Sequence, residues 1–140
     1  MGKVQILAVL TMDGCLSSEL YDKAHQDLCL DRCGLDEIRE KALYHVTPDY
    51  SISMLHEWRK DGTNIRYLAE ATPDTADYIN GLLRMHAVDE IILYTVPFIS
   101  GSGRHFFKSA LPEQHWTLSS LKSYPNGVCR ILYILDKKAR

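Results

Sequence analysis

Two carboxylates and one glycine-rich turn are the residues of this sequence whose types and positions could support chemistry. Asp13 follows the first apolar run, Glu70 ends a later one, and the turn spans Gly101–Arg104. Carboxylates can orient a substrate or share a proton, while backbone N–H groups beside one cation can hold a phosphate. Each feature also has a structural interpretation: an Asp-Gly turn, a partner for a helix dipole, and a tight turn that uses glycine φ angles. The residue types alone leave both interpretations open.

The elements that position these residues form one unit in the middle of the chain. The apolar, β-prone residues of Asn64–Glu70 predict a strand, and Asp89–Ile99 contains a nearly unbroken apolar run that predicts a second strand, covered on both faces. Between them, Thr72-Pro73-Asp74 predicts the start of a helix over Asp74–His86. Such a strand–helix–strand unit is typically parallel and right-handed, and phosphate sites in such sheets lie at the carboxyl ends of strands.

The remaining segments predict an α/β fold with a mostly parallel central sheet and a C-terminal antiparallel hairpin. Asn126-Gly127 predicts a primed hairpin turn, because such turns need two positive φ angles. Asp89 and Glu90 are interpreted as a strand-leading cap or a surface pair. The other predicted elements are a strand over Val4–Leu10, a helix from Ser17 or Ser18 to about Cys33, helical turns over Leu35–Lys41, a strand over Ala42–Thr47, a helix over Tyr50–Lys60, and hairpin strands over Trp116–Tyr124 and Val128–Leu135.

The composition excludes several classes of protein. The 140 residues favour one domain over residues 1–140, and 46% hydrophobic with 24% charged residues are ordinary globular proportions. A net charge of -2 indicates no broad basic surface for nucleic acid. No apolar run reaches the length of a membrane span, and the N-terminus lacks a secretory pattern, so we expect the cytoplasm. Hydrolases and nucleotide triphosphatases are disfavoured, because neither a Gly-x-Ser-x-Gly elbow nor a phosphate loop is present.

A metal-binding interpretation rests on three residues of the predicted first helix. His25, Cys29 and Cys33 follow one another at four-residue spacing, so one helix face would carry a stripe of soft ligands. The spacing is not a standard zinc pairing, and a small apolar helix face is the alternative, because free cysteine is usually buried. We expect no bound metal.

The chain also contains three motifs with a resemblance to a known family: Met12-Asp13-Gly14; Val88–Tyr94 followed by Pro97 and Gly101–Gly103; and Trp116–Leu118 with Ser123–Val128. The first resembles the S-x-D-G turn of the dihydrofolate-reductase-like fold, and the second resembles its V-D-E-x-x-L-Y-x-x-P-x-x-x-G-x-G segment. The third is similar to the closing hairpin of one branch, the reductase domain of riboflavin biosynthesis. The resemblance implies a three-layer sandwich and is closest over Asn64–Leu135.

This resemblance implies an NADPH-dependent reductase, which transfers hydride from the nicotinamide to a small heterocyclic or ribosylamino-pyrimidine substrate. It places Asp13 at the substrate and nicotinamide edge, and Glu70 would hydrogen bond to substrate amino groups, so both are predicted to be catalytic. A homodimer is expected, since family members often form one. The residues predicted to bind the cofactor are Ala71, Thr72, Gly101, Ser102, Gly103 and Arg104.

The sequence departs from this family at its phosphate-binding positions. Glu70 matches the acid of the family's Glu-Gly-Gly, but Ala71 and Thr72 replace the glycines that let backbone N–H groups approach a pyrophosphate. The family's G-x-x-T turn has no counterpart between Cys15 and Thr63. The alternative is therefore a degenerate, catalytically inactive member that acts as a dimeric binding or scaffold protein. NADPH binding distinguishes the two predictions.

Overall fold

The computed structural model describes residues 2–18, 23–60, 64–101 and 103–136, and it has a six-stranded sheet between two helical layers. In chain order the elements are β1 (Lys3–Leu10), α1 (Lys23–Asp27), a 3₁₀ helix (Leu30–Cys33), α2 (Leu35–Lys41), β2 (Tyr44–His45), α3 (Ile52–Arg59), β3 (Arg66–Glu70), α4 (Ala76–Arg84), β4 (Glu90–Thr95), β5 (Trp116–Ser123) and β6 (Cys129–Leu135). The strand order is β2-β3-β1-β4-β6-β5. Among the described helices, none has the length and apolar character needed to cross a membrane.

The predicted central unit is parallel, as expected. β1 lies between β3 and β4 and pairs in parallel with both, so α4 carries the chain across β1 from one neighbour to the other. β6 pairs antiparallel with β4 and with β5. The sequence prediction of a mostly parallel sheet with an antiparallel C-terminal hairpin is therefore confirmed.

Two clusters of buried side chains hold the layers together, one on each face of the sheet. On the first face, Ile6 of β1 packs in a cluster with Leu55 of α3 and Ile79 of α4. On the second face, Leu7 of β1 packs in a cluster with Leu35 of α2. Neighbouring strand residues enter opposite clusters because successive side chains point to opposite faces.

Hydrogen bonds fasten the second helical layer to the sheet. The hydroxyls of Tyr94 in β4 and Tyr124 after β5 each donate to the backbone carbonyl of Cys33 at 2.8 Å. Cys33 ends the 3₁₀ helix, and Gly34 continues the chain into α2 with a φ of 81°. These contacts fix where α2 starts, and therefore which side chains of α2 reach the strands.

The predicted long first helix is wrong. α1 has five residues, and Cys29 interrupts the helix with a φ of 50°, in the left-handed region where the intrahelical hydrogen bonds cannot continue. Residues 19–22 lie outside the described part of the chain. Cys29 is exposed whereas Cys33 is buried, so the predicted stripe of His25, Cys29 and Cys33 does not form. The described residues contain no group of three potential metal ligands.

The central helix is shorter than predicted at both ends. Thr72 and Thr75 bond reciprocally, with the Thr72 N–H donating to Thr75 Oγ1 at 2.8 Å and the Thr75 N–H to Thr72 Oγ1 at 3.2 Å, and α4 starts after this closed turn. At the other end His86 has a φ of 55°, so α4 ends before it. The Thr72 hydroxyl thus accepts a backbone N–H as predicted, but the residue at the N-cap of α4 is Thr75, and the helix begins at Ala76.

The hairpin turn differs from the predicted primed type. The Gly127 N–H donates to the Tyr124 carbonyl at 3.0 Å, which makes Pro125 and Asn126 the central residues. Proline holds φ near its fixed negative value, and only Gly127 of this turn has a positive φ, of 89°. The two central residues of the turn therefore have negative φ angles, and a glycine in the left-handed region follows them.

Asp89 and Glu90 also differ from a surface pair. Asp89 accepts the Val4 N–H at 2.8 Å and binds the Arg59 guanidinium at 2.6 and 2.9 Å, so it ties β1 and α3 to the start of β4. Glu90 is buried, with 6% of its surface exposed, and its side chain points to the second face of the sheet. The cap interpretation holds for Asp89, and the surface interpretation is wrong for Glu90.

Candidate functional site

A cavity of about 230 Å³ lies at the carboxyl ends of β1 and β3, on the second face of the sheet. We call it the edge cavity. Leu7 and Val9 of β1 and Leu35 of α2 line its apolar part. Its polar part consists of Glu70 at the end of β3 with the following Ala71 and Thr72, Arg39 of α2, and Ser17 and His25 from the segment after β1.

Glu70 is paired with Arg39 across the cavity wall. The Arg39 Nη2 lies 2.5 Å from Glu70 Oε1, and its Nε lies 3.2 and 3.3 Å from the two carboxylate oxygens. Hydrogen bonding to Glu70 raises the pKa of Arg39, with some opposition from burial. The pair presents a carboxylate and N–H donors side by side at the cavity, an arrangement that matches a partner with both a donor and an acceptor.

Ser17 and His25 form a second polar pair in the same cavity. The Ser17 Oγ lies 2.8 Å from His25 Nδ1, and both residues are buried. Either atom can donate in this contact, depending on the imidazole tautomer. A hydroxyl against a ring nitrogen is also a path along which a proton can move.

The sequence patterns predict neither Arg39 as the partner of Glu70 nor the contact between Ser17 and His25. Arg39 lies four residues after Leu35, so the two share the face of α2 that meets the sheet. A cation on an inward helix stripe is a signal that could have identified Arg39. Ser17 is predicted only as a helix cap, whereas the structure pairs its hydroxyl with His25, eight residues further along the chain.

Ala71 and Thr72, two of the predicted cofactor residues, use their backbone N–H groups within the protein. The Ala71 N–H donates to the Leu7 carbonyl at 2.7 Å, continuing the sheet ladder, and the Thr72 N–H donates to Thr75 Oγ1. Both residues line the edge cavity. Their Cβ atoms occupy space that glycine would leave open.

Asp13 lies outside the lining of the edge cavity and binds the glycine turn. Its carboxylate accepts the Ser100 N–H at 3.1 Å, the Gly101 N–H at 3.0 Å and the Thr11 hydroxyl. The Thr11 bond and these two backbone bonds hold the pKa of Asp13 well below its usual range. Asp13 therefore joins the loop after β1 to the loop after β4, and its predicted catalytic role stays a prediction.

The rest of the glycine turn also lies away from the edge cavity. A Cβ on Gly103 would approach Ser100 Oγ to 2.5 Å and Cys15 Cβ to 2.9 Å, so close packing explains this glycine. Arg104 is exposed, and Ser102 lies outside the described residues. The structure thus brings Glu70, Ala71 and Thr72 together and separates them from Asp13 and the glycine turn.

These contacts decide whether the predicted residues fit the diphosphate of NADPH. Three of the backbone N–H groups predicted to meet it, those of Ala71, Thr72 and Gly101, already donate to protein acceptors. A free, convergent set of such donors is what a phosphate cradle requires. Among the described residues, the predicted cradle therefore does not fit the diphosphate.

No known family model matches this chain, and no curated protein matches it. Solved structures do resemble it: RibD of Acinetobacter baumannii has a TM-score of 0.64 at 12% identity, covering 98% of this chain and 59% of that one. A riboflavin biosynthesis reductase of Saccharomyces cerevisiae has a TM-score of 0.55 at 12% identity, covering 96% and 89%. Dihydrofolate reductase of Enterococcus faecalis, complexed with NADP(H), has a TM-score of 0.54 at 13% identity, covering 96% and 97%. The predicted dihydrofolate-reductase-like fold is confirmed.

Proposed function

We propose that this protein binds a small planar heterocycle in the edge cavity, on a reductase-like fold whose diphosphate cradle is closed. The observation that carries the proposal is the contrast between the two parts of the site. The Glu70–Arg39 pair lines the edge cavity beside apolar walls, whereas the backbone N–H groups of Ala71 and Thr72 are already bonded within the protein. A pocket of apolar walls with few convergent polar groups is typical of a small-molecule site.

The paired side chains favour a particular ligand edge. Glu70 accepts from a ring N–H or amino group, and the adjacent guanidinium of Arg39 donates to a ring carbonyl. A lactam edge, with N–H and C=O side by side, offers both partners at once. Pyrimidines and pterins carry such an edge, and the names of the structural neighbours, riboflavin biosynthesis and dihydrofolate reductase, concern chemistry of related rings.

An NADPH-dependent reductase is the second candidate, favoured by the fold of the neighbours and by the NADP(H) complex of one of them. It requires phosphate contacts from groups other than the N–H groups of Ala71, Thr72 and Gly101. The exposed Arg104 would be one such group, because Arg binds phosphate in bidentate fashion. Under this candidate a homodimer and a heterocyclic substrate are also proposed.

Isothermal titration calorimetry with four ligands distinguishes the candidates. Uracil and pterin are expected to bind, uracil methylated on both ring nitrogens is expected to bind weakly, and NADPH is expected to give no saturable heat at millimolar concentration. Glu70→Gln should weaken uracil or pterin binding about tenfold, because a charge-assisted bond is lost. The matched control is Glu37→Gln, an exposed carboxylate on α2.

Three outcomes would contradict the proposal. Saturable NADPH binding would support the reductase instead. Absence of binding by both uracil and pterin would remove the heterocycle site. Equal affinity for uracil and its methylated form would show that the Glu70–Arg39 edge does not recognise the ring.

A further inference from the structure

A second cavity, of about 190 Å³, lies on the same face of the sheet as the edge cavity but at the amino ends of the parallel strands. We call it the floor cavity. It shares no lining residue with the edge cavity, and α2 separates the two: Leu35 and Arg39 line the edge cavity, while Ile38 and Lys41 line the floor cavity. The floor cavity is therefore a separate site.

The strand register shows how its floor is assembled. Gln5 of β1 and Glu90 of β4 are direct partners in the parallel ladder, so their side chains stand next to each other on the second face. Their contact is close, with Gln5 Nε2 2.5 Å from Glu90 Oε1. Both residues are buried, with 5% and 6% of their surfaces exposed.

Two buried polar neighbours at the centre of a sheet are unusual, because burying a carboxylate is unfavourable unless it is paired. The Gln5 amide is neutral, and the cationic contact of Glu90 among the described residues is long, with Lys3 Nζ 3.5 Å from Oε2. Apolar residues occupy the next positions on this face, Leu7 of β1 and Ile92 of β4. The cavity covers this polar pair together with the adjacent Ile92, so its floor has a polar part and an apolar part.

Two cations, Lys41 of α2 and Arg66 of β3, line the cavity at this end of the sheet. Arg130 of β6 also lines the cavity, but its guanidinium lies beside Gly34 and hydrogen bonds to the Tyr94 hydroxyl, at the opposite end of α2 from Lys41. Arg66 and Arg130 lie on opposite sides of the β1–β4 pair, because the strand order places β3 beside β1 and β6 beside β4. Within the described part of the chain, the ion pairs involve Lys3, Arg39 and Arg59, and none of the three cations. The cavity thus combines uncompensated positive charge with one carboxylate.

We propose that the floor cavity binds a small amine-bearing anion, whose phosphate or carboxylate lies between Lys41 and Arg66 and whose amine donates to Glu90. An anion offsets the positive charge of Lys41 and Arg66, neither of which forms an ion pair within the described residues. The apolar walls of Ile38, Ile92 and Leu132 suit a short carbon chain between the two charged ends. The proposal is independent of what occupies the edge cavity.

Phosphoethanolamine, β-alanine and inorganic phosphate are the probes for this site, measured by isothermal titration calorimetry. The first two carry an amine with a phosphate or a carboxylate, and the third lacks the amine. We expect one or both amine-bearing probes to bind, and phosphoethanolamine to bind more tightly than phosphate. A comparison of phosphoethanolamine with β-alanine identifies which anion the site prefers.

Two substitutions separate recognition from stability. Arg66→Gln, at an exposed side chain, should weaken phosphoethanolamine and phosphate alike by about tenfold, because one charge-assisted contact is lost. Glu90→Gln keeps the shape and should abolish the preference for the amine while strengthening phosphate, because it removes both the amine's acceptor and a repelling charge. A purely structural Glu90 would not reverse the two affinities. Lys60→Gln, at an exposed residue after α3, is the matched control.

The proposal is overturned if neither amine-bearing probe gives saturable heat. It is also overturned if Arg66→Gln binds as the unsubstituted protein does, or if Glu90→Gln leaves the order of affinities unchanged. Lys41→Gln provides the same test as Arg66→Gln on a helix side chain, in case the strand variant melts at a lower temperature than the unsubstituted protein.

Discussion

Arg39 and Glu70, which are 31 residues apart in the chain, form an ion pair that joins α2 to the carboxyl end of β3. The pair closes one side of the edge cavity and leaves a carboxylate and a guanidinium edge facing into it. Because the two groups neutralise each other, the cavity has a dipolar wall instead of a free base. This favours recognition of a neutral ring over abstraction of a proton.

The Arg39–Glu70 pair is predicted to contribute only modestly to the free energy of unfolding. Both side chains are 36% exposed, so solvent screens the attraction and the coupling free energy should be about 0.5–1 kcal/mol. Urea denaturation of Arg39→Gln, Glu70→Gln and the double variant measures it as a double-mutant cycle. A coupling near zero, or one several times larger, would contradict the half-exposed geometry.

The sequence predicted the sheet edge well, because the information is local there. The spacing of apolar residues in Asn64–Glu70 and Asp89–Ile99, with a helix between them, indicates a parallel unit. The structure confirms that unit and places Glu70, Ala71 and Thr72 at the edge as expected. The predicted helix that runs to about Cys33 is wrong, because its apolar spacing contains no sign that Cys29 adopts a left-handed conformation.

The contacts inside the edge cavity were beyond prediction for a different reason. Arg39 meets Glu70, and Ser17 meets His25, only after α2 and the segment following β1 have packed on the sheet. Such pairings depend on tertiary geometry, which no periodicity along one element encodes. The same holds for Glu90, whose neighbour Gln5 is set by strand register across 85 residues.

Asp13 is predicted to make the protein sensitive to acid. The Thr11 hydroxyl and the N–H groups of Gly101 and Ser100 lower its pKa in the folded state from the ordinary 3.8, so its stabilising contribution is complete above that value. The contribution is lost as the pH falls below 3.8 towards the lowered pKa, because the folded carboxylate must then be protonated.

Thermal melting from neutral to acidic pH measures this effect in Asp13→Asn. The variant should melt below the unsubstituted protein at neutral pH, and the difference should shrink at pH values below 3.8. Asp74→Asn, at an exposed carboxylate before α4, is the control and should show no such convergence. A difference that stays constant with pH would mean that the charge of Asp13 does not hold the loops together.

The two described glycines of the turn after β4 are predicted to respond differently to alanine. Gly103→Ala brings a Cβ against the buried Cys15, at 2.9 Å, and should destabilise by about 1–3 kcal/mol. Gly101→Ala meets no atom within 4 Å but has a φ of +74°, so its cost should be about 1 kcal/mol from backbone strain alone. Urea denaturation of both variants checks the order. A neutral Gly103→Ala would show that Cys15 moves aside and that packing does not explain this glycine.

The hairpin is predicted to carry the contact of a homodimer. A bulge between Leu118 and Ser120 shifts the register of β5, so that Leu118 pairs with Tyr133 and Leu121 with Ile131, which puts both leucines on one face although they are three residues apart. They are 52% and 60% exposed, and β5 is the last strand in the order. Exposed leucines on an uncovered strand of this kind are stabilised when a second copy covers them.

Sedimentation measures this contact. It should give a dimer for the unsubstituted protein and a monomer for Leu121→Lys, while Leu43→Lys, at another exposed leucine, stays dimeric. A monomeric unsubstituted protein, or a dimeric Leu121→Lys, would contradict this assignment.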